Sequence, residues 1–384
     1  MNPALFRLFR ANEIAVHELN YLFWECTTRC NLHCRHCGSD CSVQSREKDM
    51  PLEDFLGALD TIPARQRAKN FIVVLTGGEP LLRPDIDTVG QEICRRGLSW
   101  GIVSNGWFYD EAMQERLLRA GMRSLTISLD GLEASHDWMR GHAGSYARAL
   151  RAIGLFAREP RLTSDVVTCV NRRNLSELPE IHRILSSLGV RQWRLFTIIP
   201  IGRAAHDPDM MLSDAEWQEL MEFILAKRRE GGPMKVTFSC EDYLGPYEEK
   251  VRDTRFFCRA GINIASVLID GRICACPNID RDLFSQGSIY SDNFYEVWQH
   301  RFQPYRHRDW ARGHKSAPIC AREGGNKASG HGNDAICAPD APCARCQHWR
   351  NCLGGSLHNW HAATPGEPRL LQCRLSQTRT AIPD

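Results

Sequence analysis

Six short apolar runs alternate with six amphipathic segments between about residues 18 and 232, and this rhythm limits the fold more than any other feature. The runs are 21–25, 71–75, 100–104, 125–129, 165–169 and 193–199. Strands of a parallel sheet, covered on both faces, read as near-continuous apolar stretches of this kind. The intervening patterns, 52–62, 84–96, 111–120, 145–158, 175–188 and 214–229, have helical spacing. Gly97, Gly121, Gly189 and Gly231 follow four of them, as helix-ending glycines do. Asp110 is placed to cap the third, and Ser213 with Glu216 forms a capping box for the last.

Regular alternation implies a parallel sheet with helices outside it, either doubly wound or barrel-like. Six units fall short of the eight that close a TIM barrel. In such folds chemistry sits in the loops after the strands. The unusual residues of this half fall there. Cys30, Cys34 and Cys37 follow the first run, Gly77-Gly78-Glu79-Pro80 the second, Ser104 and Asn105 the third, Ser128 the fourth and Asn171 the fifth.

The three cysteines are spaced Cys-x3-Cys-x2-Cys in one short loop. Three thiolates leave one iron of a four-iron cluster open, and an open position marks a catalytic metal site. A structural zinc completed by Cys26 or Cys41 is the alternative. This loop, with the Gly-Gly-Glu-Pro turn one unit later, resembles the radical S-adenosylmethionine (SAM) superfamily. The resemblance implies a partial six-unit barrel, a four-iron cluster whose free iron chelates SAM, and reductive cleavage to a 5′-deoxyadenosyl radical. It implies SAM contacts from Gly77, Gly78, Glu79, Pro80, Ser104, Asn105, Ser128 and Asn171, with His36 near the adenine.

From about residue 234 the rhythm ends and cysteines return: Cys258, Cys276 with four residues between it and Gly271, then Cys343, Cys346, Cys352 and Cys373. The pattern resembles the SPASM domain, which holds auxiliary iron–sulfur clusters. Ser356 stands where that pattern has a seventh cysteine. The resemblance implies that Cys343, Cys346, Cys352 and Cys373 complete one cluster. The other, on Cys258 and Cys276, lacks a ligand unless Cys240 or Cys274 substitutes, so one or two auxiliary clusters are expected. A zinc-ribbon reading of Cys343-x2-Cys346 is the alternative. Expected boundaries are residues 1–233 for the barrel and 234–384 for the auxiliary domain. Residues 313–342, rich in small and polar residues, read as a surface insertion.

The chain of 384 residues carries a net charge of +2, which argues against a nucleic-acid surface. No apolar run is long enough to span a bilayer. Seventeen cysteines without an export signal read as cytoplasmic and metal-binding. The N-terminal stretch reads as a short helix packed on the domain. By resemblance the substrate is a peptide or small protein, and a flavodoxin or ferredoxin is the reductant. Residues 17–26 and 37–41 resemble a subgroup associated with small lipoproteins. Tetrapyrrole side-chain modification is the alternative enzyme reading; an iron–sulfur electron carrier or zinc-held binding module is the non-enzyme one.

Overall fold

The computed structural model describes residues 2–45, 47–67, 71–239, 242–312, 342–364 and 367–377. Six parallel strands occupy the expected places: β1 (Tyr21–Thr27), β2 (Ile72–Gly77), β3 (Ser99–Ser104), β4 (Met122–Ser128), β5 (Thr163–Val170) and β6 (Gln192–Thr197). Each pairs with the next in parallel register, and a helix lies between successive strands. The caps also match expectation. Asp110 Oδ1 accepts from the Met113 amide, and Ser213 and Glu216 bond reciprocally.

The parallel series runs one strand past residue 233. β7 (Lys235–Phe238) pairs with β6. At the other side β8 (Ile264–Val267) runs parallel to β1, followed by antiparallel β9 (Arg272–Cys274) and β10 (Gly287–Ser288). The result is one open ten-stranded sheet, ordered β10-β9-β8-β1-β2-β3-β4-β5-β6-β7. The added strands have two to four residues each, too short to show a period of two in the sequence. A separate hairpin, β11 (Trp360–Thr364) with β12 (Glu367–Leu370), lies near the C-terminus.

One continuous apolar core joins the two halves, from Leu19 on the N-terminal side to Trp360. Trp24 of β1 stacks on Phe55 with ring centroids 4.1 Å apart, and both are fully buried. Full burial of one such large apolar side chain contributes about 1.5–3 kcal/mol. Glu25, fully buried on β1, ties the C-terminal half to this strand. It accepts from the Ile269 amide and from Arg281, each at 3.0 Å.

The N-terminal helix, Pro3–Val16, is capped by Asn2, whose side chain accepts from the Ala4 amide. It packs on the C-terminal half rather than on the six-strand unit. Phe6 meets Phe257 edge-on, and buried Arg10 donates to the carbonyls of Arg350 and Asn351. Among the described residues, no helix is long and apolar enough to cross a membrane.

Candidate functional site

The loop carrying Cys30, Cys34 and Cys37 begins where β1 ends. A register shift between Glu25 and Thr27 sets Cys26 off the ladder just before the loop. Cys30 and Cys34 are buried, and Cys37 is half-buried. None is in a disulfide.

Four strand ends clamp this loop. After β2, the amides of Gly78 and Glu79 donate to the carbonyls of Thr27 and Arg29, at 2.7 and 2.9 Å. The glycines are required by that approach. A Cβ on Gly77, whose φ is +120°, would lie 2.1 Å from the Thr27 carbonyl oxygen. One on Gly78 would lie 2.1 Å from that of Arg29. The close backbone approach predicted for this turn is therefore made to the cysteine loop itself. Pro80 opens a short 3-10 turn whose N-cap is Glu79.

Glu79 is fully buried and links two strand ends. It accepts from the Leu81 amide (3.1 Å) and the Ser104 hydroxyl (2.8 Å) on one oxygen, and from the Asn105 amide (2.8 Å) on the other. Burial pushes its carboxyl up to about 7, against the three hydrogen bonds, which favour the ionised form. The Ser104 oxygen also accepts from the Gly106 amide. Asn105 reaches the cysteine loop: its Nδ2 donates to Asn31 Oδ1 at 2.9 Å and lies 3.9 Å from Cys30 Sγ.

After β4, a helix absent from the sequence expectation, Glu133–Arg140, ends against the same loop. The amides of His33 and Arg35 donate to the carbonyls of Arg140 and Met139. Buried Arg140 donates to Cys34 Sγ at 3.6 Å and pairs with Asp130 at 2.5 Å. Asp130 is fully buried and also accepts from the Cys169 amide. His36 Nε2 lies 3.8 Å from Asp130, while His36 Nδ1 is buried with no hydrogen-bond partner. Burial lowers the His36 imidazole to about 4, so the ring is neutral near pH 7.

The fourth clamp follows β6. Arg203 donates from Nε to the Cys34 carbonyl at 2.7 Å, and its amide donates to the Cys37 carbonyl at 3.0 Å. Ser128 is half-buried at the end of β4. Asn171 is buried and spends its side chain within its own loop, on the Arg173 amide and the Cys169 carbonyl.

The second cysteine group is assembled over a longer stretch of chain. Burial pushes the thiols of Cys343 and Cys352 up, and each lies in the electrostatic field of Cys373; Cys346 adds to that at Cys343. Cys258 and Cys352 line one small cleft with Arg10, Tyr305 and Arg308. Tyr305 in turn lies beside Cys274 and Cys276. Cys274 is fully buried in the main core, and burial holds its thiol up at about 12. Cys240 and residues 313–341 lie outside the described residues. At the position of the missing cysteine, the Ser356 amide donates to Asp242 Oδ1 at 3.0 Å, as does Asn359 Nδ2. Asp242 is buried and raises both Cys343 and Cys352 by its charge. Asp242 and Arg203 escaped the sequence reading because they lie far along the chain from the cysteines they serve.

The segment of Cys373 reaches the β6 side of the sheet. Gln372, next to Cys373, points its side-chain amide at the Ile198 carbonyl just past β6, at 3.4 Å. Among the described residues, no three His, Cys, Asp or Glu side chains converge as they would around a single metal ion. Cys26 belongs to the main core and points at the Thr76 carbonyl, while Cys41 packs with the triplet. The triplet suits a four-iron cluster: three thiols in one loop, with nitrogen donors from Arg140 and Asn105 directed at two of the sulfurs. Such donors tune iron–sulfur centres.

A series of parallel strands whose ends clamp a three-thiol loop suits an iron–sulfur site. Residues 24–185 match the model of the Radical SAM superfamily, and the chain is a radical SAM enzyme. Its cofactors are a four-iron cluster and SAM. The chain is 26% identical over 361 residues to the mycofactocin maturase MftC of Mycobacterium ulcerans, covering 93% of this chain and 88% of that one. It is 25% identical over 292 residues to the AdoMet-dependent heme synthase of Nitratidesulfovibrio vulgaris, covering 72% and 77%. In fold it resembles anSMEcpe with bound AdoMet, with a TM-score of 0.65, 16% identity and 94% of each chain covered. It also resembles Streptococcus suis SuiB bound to S-adenosylmethionine, with a TM-score of 0.63, 14% identity, and 94% of this chain and 80% of that one covered.

Proposed function

We propose that this protein modifies a peptide or small protein by radical SAM chemistry. The carrying observation is the tie from Gln372, beside Cys373, to the end of β6. It brings the Cys373 segment to the strand end after which Arg203 holds the first cysteine loop. The likeness to the mycofactocin maturase, which covers 93% of this chain, supports the same reading. A second reading, a tetrapyrrole substrate, has its support in the heme synthases of similar identity.

Cys30, Cys34 and Cys37 would hold the cluster, which when bound supplies the electron that cleaves SAM. The chain's own residues do the positioning. Glu79 locks the ends of β2 and β3 together, so the turn that borders the loop cannot drift from Asn105. Arg140 keeps positive charge beside Cys34 and is itself held by Asp130. Neutral His36 presents a flat, largely buried ring next to Cys37. Cys343, Cys346, Cys352 and Cys373 would hold one auxiliary cluster. Cys258 and Cys276 would contribute to another, with a flavodoxin or ferredoxin as electron donor.

The test uses protein reconstituted with iron and sulfide without oxygen, given dithionite and SAM. Release of 5′-deoxyadenosine is expected. Peptides encoded beside the gene are then assayed by mass spectrometry for a change in mass. A Soret band from co-purified porphyrin, with no peptide modified, would favour the tetrapyrrole reading.

A further inference from the structure

We propose that Arg35 and Arg173, both stacked over Trp138, form a site for a carboxylate group of the substrate. This rests on the reading that the face above the strand ends receives the substrate. The guanidinium carbons lie 4.7 Å and 5.0 Å from the centroid of the same indole ring. The three residues come from three different segments. Arg35 lies between Cys34 and Cys37, Trp138 is on the helix that follows β4, and Arg173 is in the loop that follows β5. The two arginines are held by their amides: Arg35 donates to the Met139 carbonyl, and Arg173 to Asn171 Oδ1.

The charge pattern sets this pair apart. Neighbouring arginines at this face have carboxylate partners: Arg140 has Asp130, Arg203 has Asp40, and Arg172 has Asp209 and Glu216. Among the described residues, neither Arg35 nor Arg173 lies within ion-pair distance of a carboxylate. The side-chain hydrogen bond of Arg173 goes to the Ser135 hydroxyl at 3.3 Å. Both arginines are exposed, and Trp138 is half-buried. Two like charges gathered on one ring repel each other, and an anionic group between them would relieve that cost. Arg173 spends its Nε–H on Ser135, which leaves its terminal N–H groups and the guanidinium of Arg35 to meet a carboxylate.

The surroundings fit a substrate rather than a free ion. Trp138 packs with Cys169 and Met211 against buried Met139, Ile198 and Met210. This apolar wall spans the ends of β4, β5 and β6, and Gln372 of the C-terminal cysteine segment touches it at Met211. A ligand bound here would lie along an apolar surface that runs from the first cysteine loop to the Cys373 segment, with its acid group at the arginines. An acidic side chain of a peptide has that chemistry, and so has a propionate of a tetrapyrrole.

The experiment uses the reconstituted full chain with SAM bound. Two probe pairs are titrated: a fluorescein-labelled peptide carrying three glutamates against its glutamine counterpart, and coproporphyrin III against its tetra-amide. At least one acid probe should bind better than its amide, and should lose about tenfold or more in affinity in Arg173→Gln and in Arg35→Gln. Arg172→Gln, which removes an exposed cation already paired, should leave that affinity within about twofold. The acid probe that binds identifies peptide or tetrapyrrole as the source of the carboxylate. Equal binding of acid and amide forms, binding of neither, or an equal loss in Arg172→Gln would overturn the proposal. Release of 5′-deoxyadenosine by the unsubstituted preparation is measured separately, so failure of the radical SAM reading is distinguished from failure of this site.

Discussion

The two cysteine groups of this protein are built in opposite ways. Cys30, Cys34 and Cys37 sit within eight consecutive residues, and the fold's task is to hold that short loop still. It does so from four strand ends, with backbone contacts so close that Gly77 and Gly78 admit no side chain. The second group draws on residues from 258 to 373, together with Asp242 and the N-terminal helix through Arg10. Its cysteines are brought together by tertiary packing and by hydrogen bonds through Arg10 and Asp242. A loop that carries its own ligands needs only to be positioned; a site gathered from distant segments depends on the stability of everything between them.

That contrast can be broken most sharply at Cys34. Cys34→Ala in reconstituted protein should reduce release of 5′-deoxyadenosine to the background without enzyme, measured by chromatography after anaerobic turnover. Residual turnover near that of the parent would remove the first loop from the chemistry.

Gly78→Val tests whether the glycine turn serves the loop or a ligand. The added side chain meets the Arg29 carbonyl, next to Cys30. We expect both iron loading of the first site and SAM affinity to fall. A variant that keeps its full iron content and loses SAM affinity alone would show that the turn serves the ligand directly.

Glu79→Ala leaves two amides and a hydroxyl buried without an acceptor. Each such group costs about 1–3 kcal/mol, so a loss of about 3 kcal/mol or more is expected in urea unfolding. The pH dependence adds a sign. Burial raises the Glu79 carboxyl from 4.5 to about 7, so the folded state binds this proton more tightly than the unfolded state. Its contribution is fully present below about pH 4.5 and is lost as pH rises through 7. Glu79→Gln should flatten the stability profile across that window; an unchanged slope would show that the carboxylate is ionised throughout.

For the second group, a variant lacking Cys30, Cys34 and Cys37 should retain about four irons if one auxiliary cluster forms and about eight if two do. Zinc in place of iron would overturn the auxiliary-cluster assignment. The smallest effect is expected at Arg10. Its guanidinium donates to two carbonyls just before Cys352, and Arg10→Ala should cost about 1–3 kcal/mol. If the two groups differ as argued, this variant lowers auxiliary iron content and leaves the first cluster's absorbance unchanged.

Local chemistry made much of this readable from the sequence. The six strands, their helices, the caps at Asp110 and Ser213, and the position of each loop motif follow from periodicity and turn residues, which act over a few residues at a time. The three-cysteine loop was legible because its cysteines are neighbours in the chain. What only the tertiary structure decided acts between distant segments. Strands β7 to β10 are too short to show a period, and they join the sheet because its edges are there to accept them. Glu79 proved to be a buried tie between two strand ends, a role set by donors at residues 104 and 105. The pairing of Arg140 with Cys34, the carboxylate of Asp242 against Ser356, and two arginines on one tryptophan have no signature along the chain. A contact between residues a hundred positions apart is set by how the sheet and its loops pack, and no short stretch of sequence carries it.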